Sequence, residues 1–164
     1  KTASRIREIR NHGMKDRITV SEWGWVSRMD SLQAAILNYR LSNLNNVIDQ
    51  RRKNAQLYIK LLQNENIFIP LESDHQLNTY HTFVIQCKHR DKLQTYLNDK
   101  GIKTSIHYPT PIHLQPAAKK LGYKKGDFPK TENQANKILT LPVNEFATER
   151  DIIDVSNEIL KFYS

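Results

Sequence analysis

Cysteine and long apolar runs are both scarce in this sequence, and each scarcity excludes a class of protein. Cys87 is the single cysteine among 164 residues, so the chain has no internal disulfide framework, which is typical of a reducing compartment. No apolar run approaches the ~20 residues that a membrane-spanning helix needs. We therefore expect a cytoplasmic protein with no membrane partner.

The motifs of common catalytic sites are missing as well. The five glycines form neither a GxGxxG nor a GxxxxGK loop of the kind that binds phosphate groups. No cysteine or histidine cluster has zinc-ligand spacing, and no serine lies in a nucleophile-elbow sequence. His107 and His113 could converge on a metal, but they lack a carboxylate nearby in the sequence. The residues alone therefore assign no catalytic residue and no metal site.

Positive charge is in excess, since 25 lysines and arginines against 17 acidic residues give a net charge of +8. Such an excess suits nucleic acid, an anionic surface or a phosphorylated small molecule. The basic residues are dispersed and no aromatic residues alternate with them at stacking positions, so we expect no nucleic-acid partner. The mean hydropathy of −0.65 indicates either helices with long polar faces or a core completed against another surface.

The first third of the chain is predicted to be helical. One helix ends at Gly13, a residue type that often follows a helix C-terminus. Asp30 and Gln33 have the spacing of a capping box, which predicts a second helix from that point. Apolar residues recur at helical spacings over residues 44–62 and predict a third. The second and third helices follow one another directly, so we expect them to need a partner surface.

After Tyr80 the pattern changes to short strands alternating with helices. The predicted strands are residues 81–87, 102–107 and 138–143. The predicted helices are residues 91–100, 114–121 and 129–138, followed by one that begins at a Thr148–Asp151 capping box and ends near Tyr163. This order predicts a small α+β domain.

The sequence SIHYPTPIHLQP, at residues 105–116, places His107, Tyr108 and His113 among three prolines. Each proline fixes its own φ and pushes the preceding residue toward extended geometry. We name this segment the proline loop and predict that it is stiff, extended and presents polar rings. Such loops often carry binding sites, but they also serve as plain connectors.

Six blocks of this sequence, in this order, carry a resemblance to a known family. They are RNHG at 10–13, GWVSRMDSLQAAIL at 24–37, RRKNAQLY at 51–58, HYPTPIHLQPA at 107–117, LGYKKGDFP at 121–129 and ILTLPV at 138–143. Together they closely resemble the C-terminal half of the DegT/DnrJ/EryC1/StrS family. Members of that family are pyridoxal-phosphate (PLP)-dependent aminotransferases of fold type I that act on nucleotide-linked keto-sugars.

The resemblance implies an architecture and a reaction. Residues 1–63 would be an inter-domain helical segment carrying a loop for the cofactor phosphate and the dimer contact. Residues 64–164 would be a small C-terminal α+β domain with helices on a short, mainly antiparallel sheet. PLP would be the cofactor, in a homodimer whose active site lies at the interface. An amino-acid donor, typically glutamate, would supply the amino group that converts a nucleotide-linked keto-sugar to an amino-sugar.

The resemblance also implies a phosphate contact in the segment GWVSRMD. In the family this segment approaches the cofactor phosphate of the neighbouring subunit, so Arg28 and Ser27 are predicted to bind the cofactor. Val26 stands where the family commonly has asparagine, and valine cannot hydrogen-bond a phosphate. Either Ser27 and Arg28 take over that contact, or this branch binds PLP without it. The alternative for Arg28 is a buried salt bridge to Asp30 or another carboxylate.

In the resembled family the proline loop borders the active-site cleft. His107, Tyr108 and His113 are therefore predicted to bind substrate, the first two through hydrogen bonds to the nucleotide diphosphate or its sugar. His113 could instead cap the following helix. The alternative for the whole loop is a packed connector whose rings are satisfied by backbone carbonyls.

The family's Schiff-base lysine, and the acidic residue that contacts the pyridine nitrogen, lie upstream of the residues present here. We therefore expect the chain to be the C-terminal portion of an aminotransferase and to be inactive alone, with no catalytic residue of its own. Two further alternatives stay open. One is a PLP-dependent sugar dehydratase of the same family, and the other is a non-catalytic basic interaction module.

Overall fold

Two helices joined by a long loop make up the first unit of the chain, Lys1–Leu44, in a computed structural model that describes residues 1–164. Helix α1 spans Thr2–Ile9 and helix α2 spans Ser31–Ser42. The predicted capping box at the start of α2 is confirmed, because the Gln33 side chain accepts a hydrogen bond of 3.2 Å from the Asp30 N–H. Helix α1 ends earlier than the sequence predicted, and Gly13 lies beyond it in the loop with a φ of +73°.

The loop between α1 and α2 folds back onto the end of α1. The His12 N–H donates to the Trp25 carbonyl at 3.0 Å, and the Trp25 N–H donates to the Ile9 carbonyl at 2.7 Å. Two glycines make this crossing possible. A Cβ at Gly24 would lie 2.2 Å from the Gly13 nitrogen, which is far inside contact distance. The segment that follows Gly24 is therefore held against α1 by backbone hydrogen bonds.

The apolar side chains of this unit remain largely exposed. Helix α2 has no buried residue. The exposed apolar residues include Ile18, Trp23, Trp25, Val26, Met29, Leu32, Ile36, Tyr39 and Leu41. Exposed apolar surface of this extent is typical of interaction surfaces.

The second unit, Asn45–Ser164, contains a three-stranded sheet and the remaining helices. The strands are β1 (Ile67–Phe68), β2 (Phe83–Cys87) and β3 (Ile138–Leu141), in the order β1-β2-β3 with both pairs antiparallel. The helices are α3 (Leu44–Leu61), α4 (Arg90–Asp99), α5 (Pro129–Ala135) and α6 (Glu149–Phe162), with 3₁₀ turns at Ile112–Leu114 and Pro116–Leu121. None of these helices is both long enough and apolar enough to span a bilayer.

One hydrophobic core joins the sheet to α3, α4 and α6. Phe83, Ile85 and Cys87 alternate inward along β2, as their spacing of two predicted. Tyr58 of α3 stacks on Phe83 with ring centroids 5.0 Å apart, and its hydroxyl donates to the Pro142 carbonyl at 2.9 Å. Because α3 is built into this core, the boundary between the two units falls at Leu44 and Asn45. The predicted domain boundary between residues 63 and 64 stays a prediction.

The sequence-based elements differ from the structure at four other points. Residues 102–107 are not a strand, because only Ser105 pairs with β3 before the proline loop leaves the sheet. Residues 114–121 form 3₁₀ turns, and α5 stops at Ala135 so that β3 can begin at Ile138. Strand β1 was not predicted, since two residues are too short to show an alternating pattern. The Thr148–Asp151 capping box of α6 is confirmed.

Asn54 fixes α3 to the turn that follows β3, and its removal should destabilise the second unit. Its side-chain amide is buried and donates to the carbonyls of Asn144 and Ala147, at 3.0 and 3.2 Å. Truncation leaves these acceptors without their donor. We expect Asn54→Ala to lower the free energy of unfolding by about 1–3 kcal/mol.

Urea denaturation of the chain measures this change as a lower midpoint at an unchanged slope. The matched control is Asn133→Ala on the exposed surface of α5, which should stay within about 0.5 kcal/mol of the wild type. Equal midpoints for the two variants would contradict the assigned role of Asn54.

Candidate functional site

Strand β3 fixes the start of the proline loop. Ser105 lies beside Thr140 and exchanges two backbone hydrogen bonds with it, one of 3.2 Å from the Ser105 N–H and one of 2.7 Å from the Thr140 N–H. Two residues later, Nδ1 of His107 lies 2.9 Å from the Thr140 hydroxyl oxygen. Thr140 is buried, so the His107 ring is held by a rigid part of the sheet.

This arrangement leaves one hydrogen-bonding group of each side chain without a partner. Nδ1 of His107 is occupied by Thr140, whereas its Nε2 has no hydrogen-bond partner in the structure. The Tyr108 ring contacts the His107 ring edge-on at 5.4 Å, and Tyr108 is 73% exposed with no partner for its hydroxyl. Protein groups therefore do not satisfy all the hydrogen-bonding atoms of these two rings.

His107 and Tyr108 line an open groove of about 640 Å³ between the proline loop and α5. The apolar lining residues are Pro109, Pro111, Ile112, Ala135 and Ile138, and the other polar ones are Thr110, Gln115, Thr131 and Gln134. No lysine, arginine or carboxylate is among them. The groove therefore offers an apolar floor with neutral hydrogen-bonding groups, which suits an uncharged, hydroxyl-rich ligand better than a phosphate group.

His113 does not join the other two rings. Its side chain is 5% exposed and its Nε2 lies 3.0 Å from Oε1 of Glu132 in α5. The ring also packs on Phe128 with centroids 4.7 Å apart. The same Glu132 oxygen accepts a hydrogen bond of 2.8 Å from the Gly126 N–H, and this bond, together with His113, lowers the pKa of the Glu132 carboxyl. His113 caps neither neighbouring helix, and the structure does not place it among the groove-lining residues.

Arg28 and Ser27 lie together in the first unit, at a separate open cavity of about 550 Å³. The Ser27 backbone is clamped by Arg10, whose carbonyl accepts from the Ser27 N–H and whose Nε donates to the Ser27 carbonyl, both at 2.9 Å. Arg28 is exposed, and this structure contains no salt bridge from it to Asp30 or to another carboxylate. The cavity lining contains two guanidinium groups and no carboxylate, a donor set that suits an anion.

The Val26 side chain cannot form a hydrogen bond to an anion at this cavity. Its backbone pairs with Asn11 in a single bridge, and its side chain is 65% exposed. The lining residues whose side chains could donate to a phosphate at this cavity are Arg10, Ser27, Arg28 and Gln33. No group of three histidine, cysteine or acidic side chains is arranged to hold a metal ion.

Sequence patterns did not reveal three groups that shape these sites. Arg10, Thr140 and Glu132 each act through partners that lie 17, 33 and 19 positions away in the chain. No local spacing signals such contacts. Apart from the family resemblance, the proline loop was the sequence feature that indicated a site at the groove.

Comparisons with known proteins relate this geometry to a function. The model of the DegT/DnrJ/EryC1/StrS aminotransferase family matches residues 1–160. The pleiotropic regulatory protein of Geobacillus stearothermophilus is 37% identical over 98% of the chain and 44% of its own length. The dTDP-3-amino-3,6-dideoxy-alpha-D-galactopyranose transaminase of Aneurinibacillus thermoaerophilus is 31% identical, again over 98% of the chain and 44% of its own length.

A solved structure is similar over the same region. The crystal structure of DesV from S. venezuelae superimposes with a TM-score of 0.90 at 30% identity, and the match covers 98% of the chain and 43% of DesV. The chain thus spans less than half the length of the relatives it matches.

The contact between Thr140 and His107 can be tested without any ligand. Thr140→Val keeps the shape of the side chain but removes the hydroxyl, so Nδ1 of His107 loses its partner. We expect a clear change in the ¹⁵N shift of Nδ1, measured by long-range ¹H–¹⁵N correlation on the labelled chain. Thr140→Ser retains the hydroxyl and is the matched control. Equal shifts in Thr140→Val and the wild type would mean that the hydroxyl does not orient the ring.

Proposed function

Because the chain belongs to the DegT/DnrJ/EryC1/StrS aminotransferase family, we propose that it is the C-terminal part of a PLP-dependent enzyme that aminates a nucleotide-linked keto-deoxysugar, with glutamate as the amino donor. One observation carries the substrate assignment. Nε2 of His107 and the hydroxyl of Tyr108 lie unpartnered at a neutral groove of about 640 Å³. The relative from Aneurinibacillus thermoaerophilus, named as an amino-sugar transaminase, supports the same substrate class.

The chemistry of the groove lining supports the sugar, and not the diphosphate, as the part of the substrate that binds there. A sugar ring presents hydroxyl groups above a largely apolar skeleton, which matches ring donors and amides placed among prolines and Ile112. A diphosphate needs cationic or multiple N–H donors, and the groove lining has no lysine or arginine. The keto-sugar would therefore lie in the groove, with its diphosphate outside it. His107 and Tyr108 would orient the sugar by donating hydrogen bonds to its oxygens.

The cavity beside Arg28 fits the phosphate group of PLP. Arg28 is exposed and free of any carboxylate, Arg10 adds a second guanidinium, and Ser27 adds a hydroxyl. A planar guanidinium can bind two oxygens of one phosphate, so this set would hold the cofactor by its charged end. When bound, PLP supplies the electron sink that amino transfer requires. In the proposed homodimer this phosphate belongs to the cofactor of the partner subunit.

No residue of this chain is assigned a catalytic role. None of its lysines lies in the sequence setting that anchors PLP in the family, so we propose that the amine which binds the cofactor belongs to the rest of the intact protein. The chain by itself would then contribute the groove and the phosphate contact but would not transfer an amino group. The apolar surface of the first unit, which includes Trp23, Trp25 and Leu32, would pack within that larger assembly.

Loss of Arg28 should weaken cofactor binding in the intact enzyme. A charge-assisted contact to phosphate contributes about 1.5–3 kcal/mol, so we expect Arg28→Ala to raise the Kd for PLP by roughly 10- to 150-fold. Equilibrium titration followed by PLP absorbance or fluorescence measures this change. The matched control is Arg17→Ala, which removes another exposed arginine of the same unit. Equal Kd values for the two variants would contradict the assignment.

His107 and Tyr108 should affect only the half-reaction that uses the sugar. We expect His107→Ala and Tyr108→Phe to lower kcat/KM for the keto-sugar by the equivalent of about 0.5–1.5 kcal/mol for each lost hydrogen bond. Amino transfer from glutamate should stay near the wild-type rate. Stopped-flow measurement of each half-reaction separates the two steps. Equal impairment of both halves would mean that the loop supports the cofactor pocket in general.

A further inference from the structure

The two walls of the groove are connected by a contact that does not itself line the groove. Ile112 of the proline loop and Thr131 of α5 both line the groove. Their neighbours in sequence are His113 and Glu132, and these two side chains are joined by the hydrogen bond of 3.0 Å between Nε2 and Oε1. The pair thus joins the loop to the helix at the level of the groove.

This contact is largely shielded from water. The side chains of His113 and Glu132 are 5% and 15% exposed. The Glu132 oxygen that faces His113 also accepts a hydrogen bond of 2.8 Å from the Gly126 N–H, and the His113 ring packs on Phe128. Removing either side chain would leave a donor or an acceptor unpaired in a site with little access to water, so the remaining groups would have to move.

Two side-chain hydrogen bonds anchor the proline loop to the rest of the second unit, in addition to the packing of Ile106 on the core. At its start, Thr140 holds His107 at 2.9 Å. At its end, Glu132 holds His113. Between these anchors the loop forms hydrogen bonds only with its own residues. For example, the Thr110 carbonyl accepts one of 3.3 Å from the Gln115 side chain. The distance between the loop wall and the α5 wall therefore depends on the second anchor.

We propose that His113 and Glu132 act as a positioning pair that sets the width of the groove for the sugar. The pair would hold Tyr108 and Ile112 at a fixed distance from Thr131 and would touch no substrate atom. The inference rests on the proposed function, and it reassigns His113 from substrate binding to the support of the residues that bind. Loss of the pair should weaken the binding of a ligand that contacts both walls. It should not affect the reaction with the amino-acid donor.

The test uses the intact enzyme and four single variants, His113→Ala, His113→Gln, Glu132→Ala and Glu132→Gln. The two alanine variants should raise KM for the keto-sugar about tenfold, the size expected for losing one hydrogen-bonded partner. The rate of amino transfer from glutamate should change by less than about twofold. Glutamine can still donate at position 113 and accept at position 132, so both glutamine variants should recover most of the wild-type KM.

A second alanine should add little to the first, because residues joined in one contact are not additive. The double variant His113→Ala/Glu132→Ala should therefore have a KM close to that of either single variant. All assays are run below the Tm of the least stable variant, which thermal unfolding establishes first. If an alanine variant does not fold, the proposal is still tested by the KM values of the glutamine variants.

His107→Ala, assayed beside these variants, separates the inference from the function on which it rests. An effect of His107→Ala on the sugar step, with no effect of the four variants, would overturn the positioning pair and leave the function standing. No effect of His107→Ala on that step would overturn both. Equal loss in both half-reactions, with a lower Tm and no recovery by glutamine, would show a purely structural contact and also overturn the inference.

Discussion

Thr140 is the residue on which the geometry of the groove depends. It lies on β3, pairs with Val84 of β2 on one side, and exchanges backbone hydrogen bonds with Ser105 on the other. Its hydroxyl then fixes the ring of His107. Because β3 is the last strand of the sheet, its free edge would otherwise expose unpaired backbone groups. The start of the proline loop covers part of that edge, and the same contact directs His107 and Tyr108 toward the groove.

The linings of the two candidate sites differ in chemistry, and each suits a different kind of ligand group. The groove has neutral hydrogen-bonding groups on an apolar floor, and the cavity beside Arg28 has two guanidinium groups and a hydroxyl. The first kind of lining suits a sugar ring and the second suits a phosphate. Each is built by backbone constraints from its own unit. Gly13 and Gly24 allow the Arg28 segment to cross the end of α1, and the sheet edge positions the proline loop.

Features that depend on near neighbours in the chain could be predicted from the sequence. Both capping boxes and the alternating strand at 83–87 are confirmed, because spacings of three and two residues fix them locally. The fold class, a small α+β domain of a fold type I aminotransferase preceded by helices, is also confirmed. The partner of His113 could not be predicted, because Glu132 lies 19 positions away in the chain. Function came from the resemblance, since the residues alone gave no catalytic signature.

The central claim is that the groove beside the proline loop holds the sugar of a nucleotide-sugar substrate. A crystal structure of the intact enzyme with its amino-sugar nucleotide product tests it most directly. We predict a sugar oxygen within about 3 Å of Nε2 of His107 or of the Tyr108 hydroxyl, the range of a hydrogen bond, and the diphosphate outside the neutral lining. A product bound elsewhere, with His107 and Tyr108 in contact only with solvent or protein, would contradict the claim.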